Sequence, residues 1–173
     1  MENSLLDYLS LQRFSNKELN EIFLGFIEKS GFEIISKDIG LISEYVFRDD
    51  KDVYSIRVKL KNISNSGWSN KPFIKRIQTT PLNDIELTKK NSCFMLIGIT
   101  YFCEKYFLVS WDAARYKNFN TCRSAYVNVS AFDMANKTGL FHCNDFGDNI
   151  YVCDEMHFRD LLLDYIDYTI LEE

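Results

Sequence analysis

Three segments of the chain place apolar residues at the spacing of an amphipathic helix. The first opens with Ser15-Asn-Lys-Glu18, a capping box, and its apolar stripe ends at Gly31. The second lies between Ser130 and Gly139, and the third keeps an acidic outer face. These patterns predict helices over residues 15–30, 130–138 and 154–171.

Between the first two helices the period changes to that of a strand. Residues 52–62 alternate apolar with polar positions, and residues 92–102 and 105–112 are nearly continuous in apolar residues, as in a hairpin of two buried strands. Further strands are predicted at residues 72–79, 123–129 and 149–153. Many strands with few, short helices predict a mainly-β α+β fold, either a barrel or a sandwich.

The polar positions of the alternating strand are cationic. Arg57, Lys59 and Lys61 follow one another on a face that the pattern predicts to be solvent-exposed. Same-face residues recur every ~6.6 Å along a strand, close to the ~7 Å step between phosphates of one nucleic-acid strand. The row therefore fits a phosphate backbone. It equally fits a strand edge that carries lysine to resist aggregation.

Charged residues are also unevenly distributed along the chain, with a basic central segment between two acidic flanks. Residues 57–123 hold twelve Lys and Arg against four acids, whereas the segments before and after carry net charges of −5 and −8. A phosphate backbone responds to the local field of a basic face rather than to the net charge of the chain, which is −5. The central segment therefore favours an anionic partner.

Two loops leave the strand-rich centre without a single acid, namely residues 62–72, which run on into 73–78, and residues 113–124. Arg and Lys can read guanine edges or hold phosphates, Asn and Gln can pair with adenine, and Ser, Thr and Trp can contact the backbone and sugars. We expect Phe119 to pack on the core rather than on a base. The candidate DNA contacts are Arg57, Lys59, Lys61, Ser66, Trp68, Ser69, Asn70, Lys71, Lys75, Arg76, Gln78, Arg115, Tyr116, Lys117, Asn118, Asn120, Arg123 and Ser124.

Within this set the residue types divide into two groups. Those expected at base edges are Asn70, Arg76, Arg115, Asn118 and Asn120. Those expected at phosphates in the loops are Lys71, Lys75, Lys117 and Arg123. With about five phosphate contacts, log affinity should fall with log salt at a slope of about −4 to −5.

Length and composition limit the remaining possibilities. The 173 residues suit one domain, and the longest apolar runs fall far short of the roughly 20 residues that span a bilayer. No basic segment precedes Leu5 and Leu6, so we expect no secretory signal. Five cysteines at irregular spacing are typical of reduced thiols, which indicates a cytoplasmic protein.

Catalytic patterns are weak. Glu44 with Asp49-Asp50-Lys51 could form a metal-dependent nuclease site, although the run is more typical of a turn. His142-Cys143 with Cys153 and His157 could be imagined as zinc ligands, but short Cys-x-x-Cys spacing is missing. No phosphate-binding glycine motif occurs. We therefore expect no catalytic residue, no metal and no cofactor.

Five segments resemble, in their order, the DNA-recognition domains of restriction endonucleases, above all the N-terminal domain of McrB-like subunits in LlaJI-type systems. They are Trp68-Ser-Asn-Lys-Pro72, Lys75-Arg-Ile-Gln78, Val109-Ser-Trp-Asp112, Arg123-Ser-Ala-Tyr-Val-Asn-Val129 and Ala135-Asn-Lys-Thr-Gly139. The resemblance covers roughly residues 45–160. It implies an open DNA-binding pseudobarrel, related to the plant B-three domain and the EcoRII effector domain, that grips the major groove with two arms.

The resemblance also implies partners. McrB-like proteins carry a nucleotide-hydrolysing motor in the same chain and work with a McrC-like nuclease subunit, and neither activity has a motif here. Residues 1–173 are then one DNA-targeting domain, expected to be the N-terminal part of a longer protein. Three alternatives stay open: a metal-dependent nuclease, a reader that flips out a methylcytosine, and a protein-interaction module that uses the acidic third helix. Because Trp68 has no aromatic neighbour in sequence, we expect an intact duplex rather than a flipped base.

Overall fold

The computed structural model describes residues 9–10, 12–83, 92–117 and 119–171. The strands in these ranges are β1 (Leu9–Ser10), β2 (Glu33–Asp38), β3 (Ser43–Asp49), β4 (Asp52–Asn62), β5 (Ser64–Asn65), β6 (Ile74–Thr79), β7 (Cys93–Phe102), β8 (Lys105–Trp111), β9 (Arg123–Asn128), β10 (Leu140–Asp145) and β11 (Asp148–Asp154). The helices are α1 (Asn16–Lys29), α2 (Val129–Thr138), α3 (Phe158–Leu171) and a 3-10 turn at Ala113–Tyr116.

These strands form two sheets. A large eight-stranded sheet has the order β10-β11-β8-β7-β4-β3-β2, with β1 beside the end of β7. Its neighbours are antiparallel except β4 and β7, which run parallel. A small antiparallel sheet contains β5, β6 and β9. This open, mainly-β α+β architecture confirms the fold class predicted from the sequence.

The large sheet is covered on both faces. Helices α1 and α3 pack on one face around Phe23, Ile97 and Leu161. The small sheet and α2 pack on the other face around Leu96 and Trp111. Strand β7 is therefore buried on both sides, which explains its nearly continuous apolar sequence. The predicted hairpin of β7 and β8 is confirmed.

A glycine lets the two sheets approach closely at the middle of β7. A Cβ added at Gly98 would lie 2.9 Å from side chains of both Ile63 and Ile77. Beside this contact the indole Nε1 of Trp111 donates a hydrogen bond to the backbone carbonyl of Tyr126, 2.9 Å away in β9. The bond ties the outer strand of the small sheet to the large sheet.

The helix ends agree in part with the sequence analysis. The capping box of α1 is present, with Ser15 as the N-cap. Helix α2 ends at Gly139 as predicted, at a φ of +82°, but its N-cap is Asn128 rather than Ser130. The start predicted for α3 at Asp154 was wrong: this residue ends β11, and its carboxylate accepts hydrogen bonds from the Met156 backbone and the His157 ring. The polar side chain at the strand end looked like a cap because it does bond the residues that follow.

Five strands were not predicted, namely β1, β2, β3, β5 and β10. Strands β1 and β5 are only two residues long, too short to show a periodic pattern. Strands β2, β3 and β10 pair by tertiary contact at the two sides of the large sheet, and their sequences mix charged with apolar residues. No helix within the described ranges is long and apolar enough to cross a membrane.

Burial of tyrosines and thiols predicts that the fold weakens at alkaline pH. Burial raises the pKa of Tyr45 and Tyr165 well above the ordinary 10.0 and raises that of Cys93 to about 12. Since the folded pKa lies above the unfolded one, the stabilisation is complete below the unfolded pKa and is lost as pH rises through the folded pKa. We expect the free energy of unfolding to fall above pH ~9, by about 1.4 kcal/mol per pH unit for each group that ionises only when unfolded.

Urea unfolding at pH ~8 and pH ~10.5 measures this decline. Tyr45→Phe should make the decline shallower, because that ring no longer ionises in the unfolded chain. Equal slopes for the wild type and the variant would contradict the assignment to Tyr45.

Candidate nucleic-acid interface

The side of the small sheet that faces away from the large sheet carries polar and aromatic residues. Alternation along β6 and β9 turns Ile77 and Ala125 inward to the core, so that their neighbours point outward. The outward residues are Arg76, Gln78, Ser124 and Tyr126, in which Arg76 lies opposite Tyr126 and Gln78 opposite Ser124. We call these four residues the outer face.

The first arm, residues 62–72, folds over this outer face. Its Trp68 ring stacks on Tyr126, with ring centroids 4.6 Å apart and planes at 19°. The ammonium of Lys71 lies 5.2 Å from the centroid of the Trp68 ring. Trp68 has no aromatic neighbour in sequence, but in the structure its ring partner comes from β9, a strand distant in sequence.

Lys75 holds the first arm from inside. Its ammonium donates hydrogen bonds to Asn65 Oδ1 at 2.7 Å and to the Pro72 carbonyl at 2.8 Å. The residue is 5% exposed, and burial lowers the pKa of its ammonium. Ser66 is also buried, and its hydroxyl accepts the backbone N–H of Trp68. The placement of Lys75 at a phosphate is not supported, because its charge is used to close the loop.

The second arm, residues 113–124, is anchored to β11. Tyr116 is 5% exposed, and its hydroxyl donates a hydrogen bond to the buried carboxylate of Asp148. Arg115 Nε lies 3.5 Å from the other oxygen of the same carboxylate. Burial raises the pKa of Asp148, which the Tyr116 hydroxyl and Arg115 oppose, and burial together with the bond to Asp148 raises that of Tyr116. Tyr116 is thus an anchor of the arm rather than an exposed contact.

The rest of the second arm carries exposed cations. The Arg123 guanidinium stacks 3.2 Å from the centroid of the Phe119 ring, so this half-buried ring supports a cation as well as the loop. Lys117 and Asn120 are exposed, and Asn118 lies outside the described residues. Arg76 lies between the arms: its Nη1 donates to Ser124 Oγ at 3.2 Å, and Gly67 of the first arm passes beside its Nη2.

The cationic face predicted along β4 was wrong. Arg57 and Lys59 are each 8% exposed. Arg57 stacks 5.5 Å from the centroid of Phe94, and Lys59 donates a hydrogen bond to Thr80 Oγ1 at 2.6 Å. The strand lies between β3 and β7, and the small sheet covers that side of it. The alternation correctly indicated two different faces, but both are covered over residues 56–60, and Lys61 at the end of the strand is half-buried.

The candidate contacts therefore fall into three classes of exposure. Those exposed are Trp68, Ser69, Asn70, Lys71, Gln78, Arg115, Lys117, Asn120 and Arg123. Those half-buried are Lys61, Arg76 and Ser124. Those buried are Arg57, Lys59, Ser66, Lys75 and Tyr116.

A third loop, which sequence reasoning missed, lies beside both arms. The turn between β10 and β11 consists of Phe146 and Gly147. The Phe146 ring centroid is 5.7 Å from that of Tyr126, and a Cβ at Gly147 would lie 3.3 Å from the guanidinium of Arg115. The available signal was a glycine in a short polar segment next to an aromatic residue.

The catalytic patterns do not assemble into a site. Asp49 pairs with Arg159, and Asp50 is a turn residue at a φ of +49°. His142 stacks on Tyr151 and bonds Asn149, while Cys153 is fully buried. Across residues 9–10, 12–83, 92–117 and 119–171, no three His, Cys, Asp or Glu side chains are grouped so as to hold a metal ion.

Comparison with known proteins gives one family. The family model described as Methylase-associated X1 matches residues 54–165, a range that includes both arms, the outer face and the turn of Phe146. Comparison with curated proteins and with solved structures finds no match. The family description supports a role related to restriction and modification. Because the match covers more than half of its residues, this chain belongs to the Methylase-associated X1 family.

Proposed function

We propose that this chain is a targeting domain that binds double-stranded DNA at a specific sequence for a restriction–modification system and has no catalytic activity of its own. The observation that carries the proposal is the convergence of two arms on one outer face. Lys71 on the first arm and Lys117 and Arg123 on the second are exposed, and Arg76 lies between the arms.

The distribution of charge supports the direction of approach. The arms themselves contain no acid. Asp112, directly before the second arm, accepts the backbone N–H of Ala114, and Asp148 is buried against Arg115 and Tyr116. Helix α3 on the opposite side of the large sheet exposes Asp160 and Asp164. A polyanion is therefore attracted to the arms and repelled from the helices.

The stacking of Trp68 supports recognition of an intact duplex. A pocket for a flipped base holds the base between aromatic or apolar surfaces. Here the partners of the Trp68 ring come from the protein itself, since Tyr126 stacks on it and the Lys71 ammonium lies 5.2 Å from its centroid. Exposed Asn70, Gln78 and Asn120 are instead suited to base edges in the major groove.

The larger assembly follows from the resemblance to McrB-like subunits. We propose that this domain selects the site in the cytoplasm, while a nucleotide-hydrolysing motor in cis and a McrC-like nuclease in trans perform translocation and cleavage. A methylase is a further expected member of the system, in keeping with the family description.

Arg76 is expected to determine specificity. Selection from random duplexes first gives the preferred site, and competition with singly mismatched duplexes then measures discrimination at each position. Arg76→Ala should relax the preference at one position, since a bidentate contact to a purine discriminates by about 1–3 kcal/mol. Lys117→Ala is the matched control, which should weaken binding to all duplexes alike because phosphates carry no sequence information. An equal, uniform loss from both variants would contradict this division.

A further inference from the structure

Phe146 occupies a backbone position that suits a different residue. Asp145 pairs with Asp148, so Phe146 and Gly147 form a two-residue hairpin turn, with φ of +54° and +72°. Positive φ at both residues is the turn type that favours Asn-Gly. A bulky side chain at positive φ is uncommon and is disfavoured sterically. Such an outlier, kept in an otherwise regular hairpin, indicates a function for the side chain.

The Phe146 ring does not compensate by entering the core. The residue is 38% exposed, and its ring contacts that of Tyr126, with centroids 5.7 Å apart and planes at 45°. Since Tyr126 also stacks with Trp68, which is 39% exposed, three aromatic rings form one patch on the surface. We call Trp68, Tyr126 and Phe146 the aromatic patch.

The surroundings of the aromatic patch favour DNA as its occupant. The Lys71 ammonium lies over Trp68, and the Arg115 guanidinium lies beside Gly147, so cations flank the patch from both arms. The tip of the turn is different: the Asp145 carboxylate accepts the backbone N–H of Phe146 at 2.9 Å. A carboxylate there repels phosphates, so the turn itself is not suited to a phosphate contact.

We propose that Phe146 contacts the C5-methyl group of a pyrimidine in the major groove. This inference rests on the proposed function. Among the base edges in the major groove, that methyl group is the apolar one, and phenylalanine is among the side chains that contact it. The Phe146 ring contacts Tyr126 of the outer face, and Gly147 of the same turn lies beside Arg115 of the second arm, so the ring adjoins the residues proposed to bind DNA. The methyl group belongs either to thymine or to 5-methylcytosine, and both place it at the same point of the groove.

The test is a cycle of chemical and protein substitutions on the selected duplex. Replacing each thymine in turn by deoxyuridine should lower wild-type affinity about fourfold at one position, the value of burying one methyl group. If the methyl group comes from methylcytosine, the deoxyuridine series is flat, and 5-methylcytosine at one position raises wild-type affinity by the same factor. In either case Phe146→Asn should bind the methylated and unmethylated forms equally.

Phe146→Asn is chosen because Asn suits the turn. Its melting temperature should equal that of the wild type or exceed it by about 2 °C. Its salt dependence should match the wild type, since an apolar contact releases no counterions. Leu41→Ala is the control for losing an exposed apolar side chain, because Leu41 is 91% exposed at the opposite end of the large sheet and should not affect binding.

The outcomes separate the two proposals. A wild type that binds no duplex overturns the proposed function. A wild type that binds specifically but distinguishes neither deoxyuridine nor 5-methylcytosine at any position overturns the Phe146 contact alone. The contact is also overturned if Phe146→Asn keeps the full methyl discrimination of the wild type.

Discussion

The affinity of this chain for its DNA site is expected to fall about 600-fold between about 50 mM and about 300 mM salt. Four cations proposed to contact phosphates are at least partly exposed, namely Lys61, Lys71, Lys117 and Arg123. Each neutralised phosphate contributes about −0.9 to the slope of log affinity against log salt, which gives about −3.6. The sequence alone predicts a steeper slope, but Lys59 and Lys75 are buried and release no counterions.

Two lysines close in sequence allow the effect of an exposed cation on the salt slope to be compared with that of a buried one. Lys71 is exposed over Trp68, whereas Lys75 is buried under the same arm. Lys71→Ala should lower the magnitude of the slope by about 0.9, and Lys75→Ala should leave the slope unchanged while loosening the arm. Lys17→Ala, which removes an exposed lysine of α1, should change neither affinity nor slope. An affinity that is flat across the salt range would exclude phosphate contacts as the main source of binding.

Trp111→Ala is expected to destabilise the fold by about 3–5 kcal/mol, a large part of the stability of a typical domain. The side chain is fully buried between the sheets beside Gly98, so its removal leaves a cavity at the point where Gly98 lets the two sheets approach closely. It also removes the hydrogen bond to the Tyr126 carbonyl. Because Tyr126 supports Trp68, DNA affinity should fall together with stability. Urea unfolding measures the loss directly.

Two variants test the separate contributions of Trp111. Trp111→Phe keeps much of the apolar contact but leaves the Tyr126 carbonyl without its donor, which should cost about 1–3 kcal/mol. Trp68→Ala is the matched control, because it removes the same type of side chain from the surface. Since Trp68 is 39% exposed, this substitution should change stability by less than about 1 kcal/mol while weakening DNA binding. A loss below about 1 kcal/mol for Trp111→Ala would show that the sheets are held elsewhere.

Local signals were sufficient for the elements whose hydrogen bonds are close in sequence. The capping box at Ser15, the glycine that ends α2 and the hairpin of β7 and β8 all satisfy their backbone groups within a few residues of the signal. The two arms were also recognisable, because their residue types and lack of acids are properties of composition.

The tertiary structure decided which side chains of those arms are available. Alternation in β4 separates two faces, but the pattern does not contain the small sheet that buries Arg57 and Lys59. Lys71 and Lys75 have the same chemistry in sequence, and only the fold of the arm around Asn65 and Pro72 separates them.

The aromatic patch shows most directly which contacts could not be predicted from the sequence. Trp68, Tyr126 and Phe146 come from three segments that are far apart in the chain, and each by itself looks like an ordinary loop or strand residue. The chain by itself determined its fold class, the N-cap of α1, the glycine that ends α2 and the composition of its two arms, because those depend on local spacing and composition. Which cations reach solvent, and which rings meet, was decided by the packing of two sheets, since burial depends on contacts between residues distant in sequence.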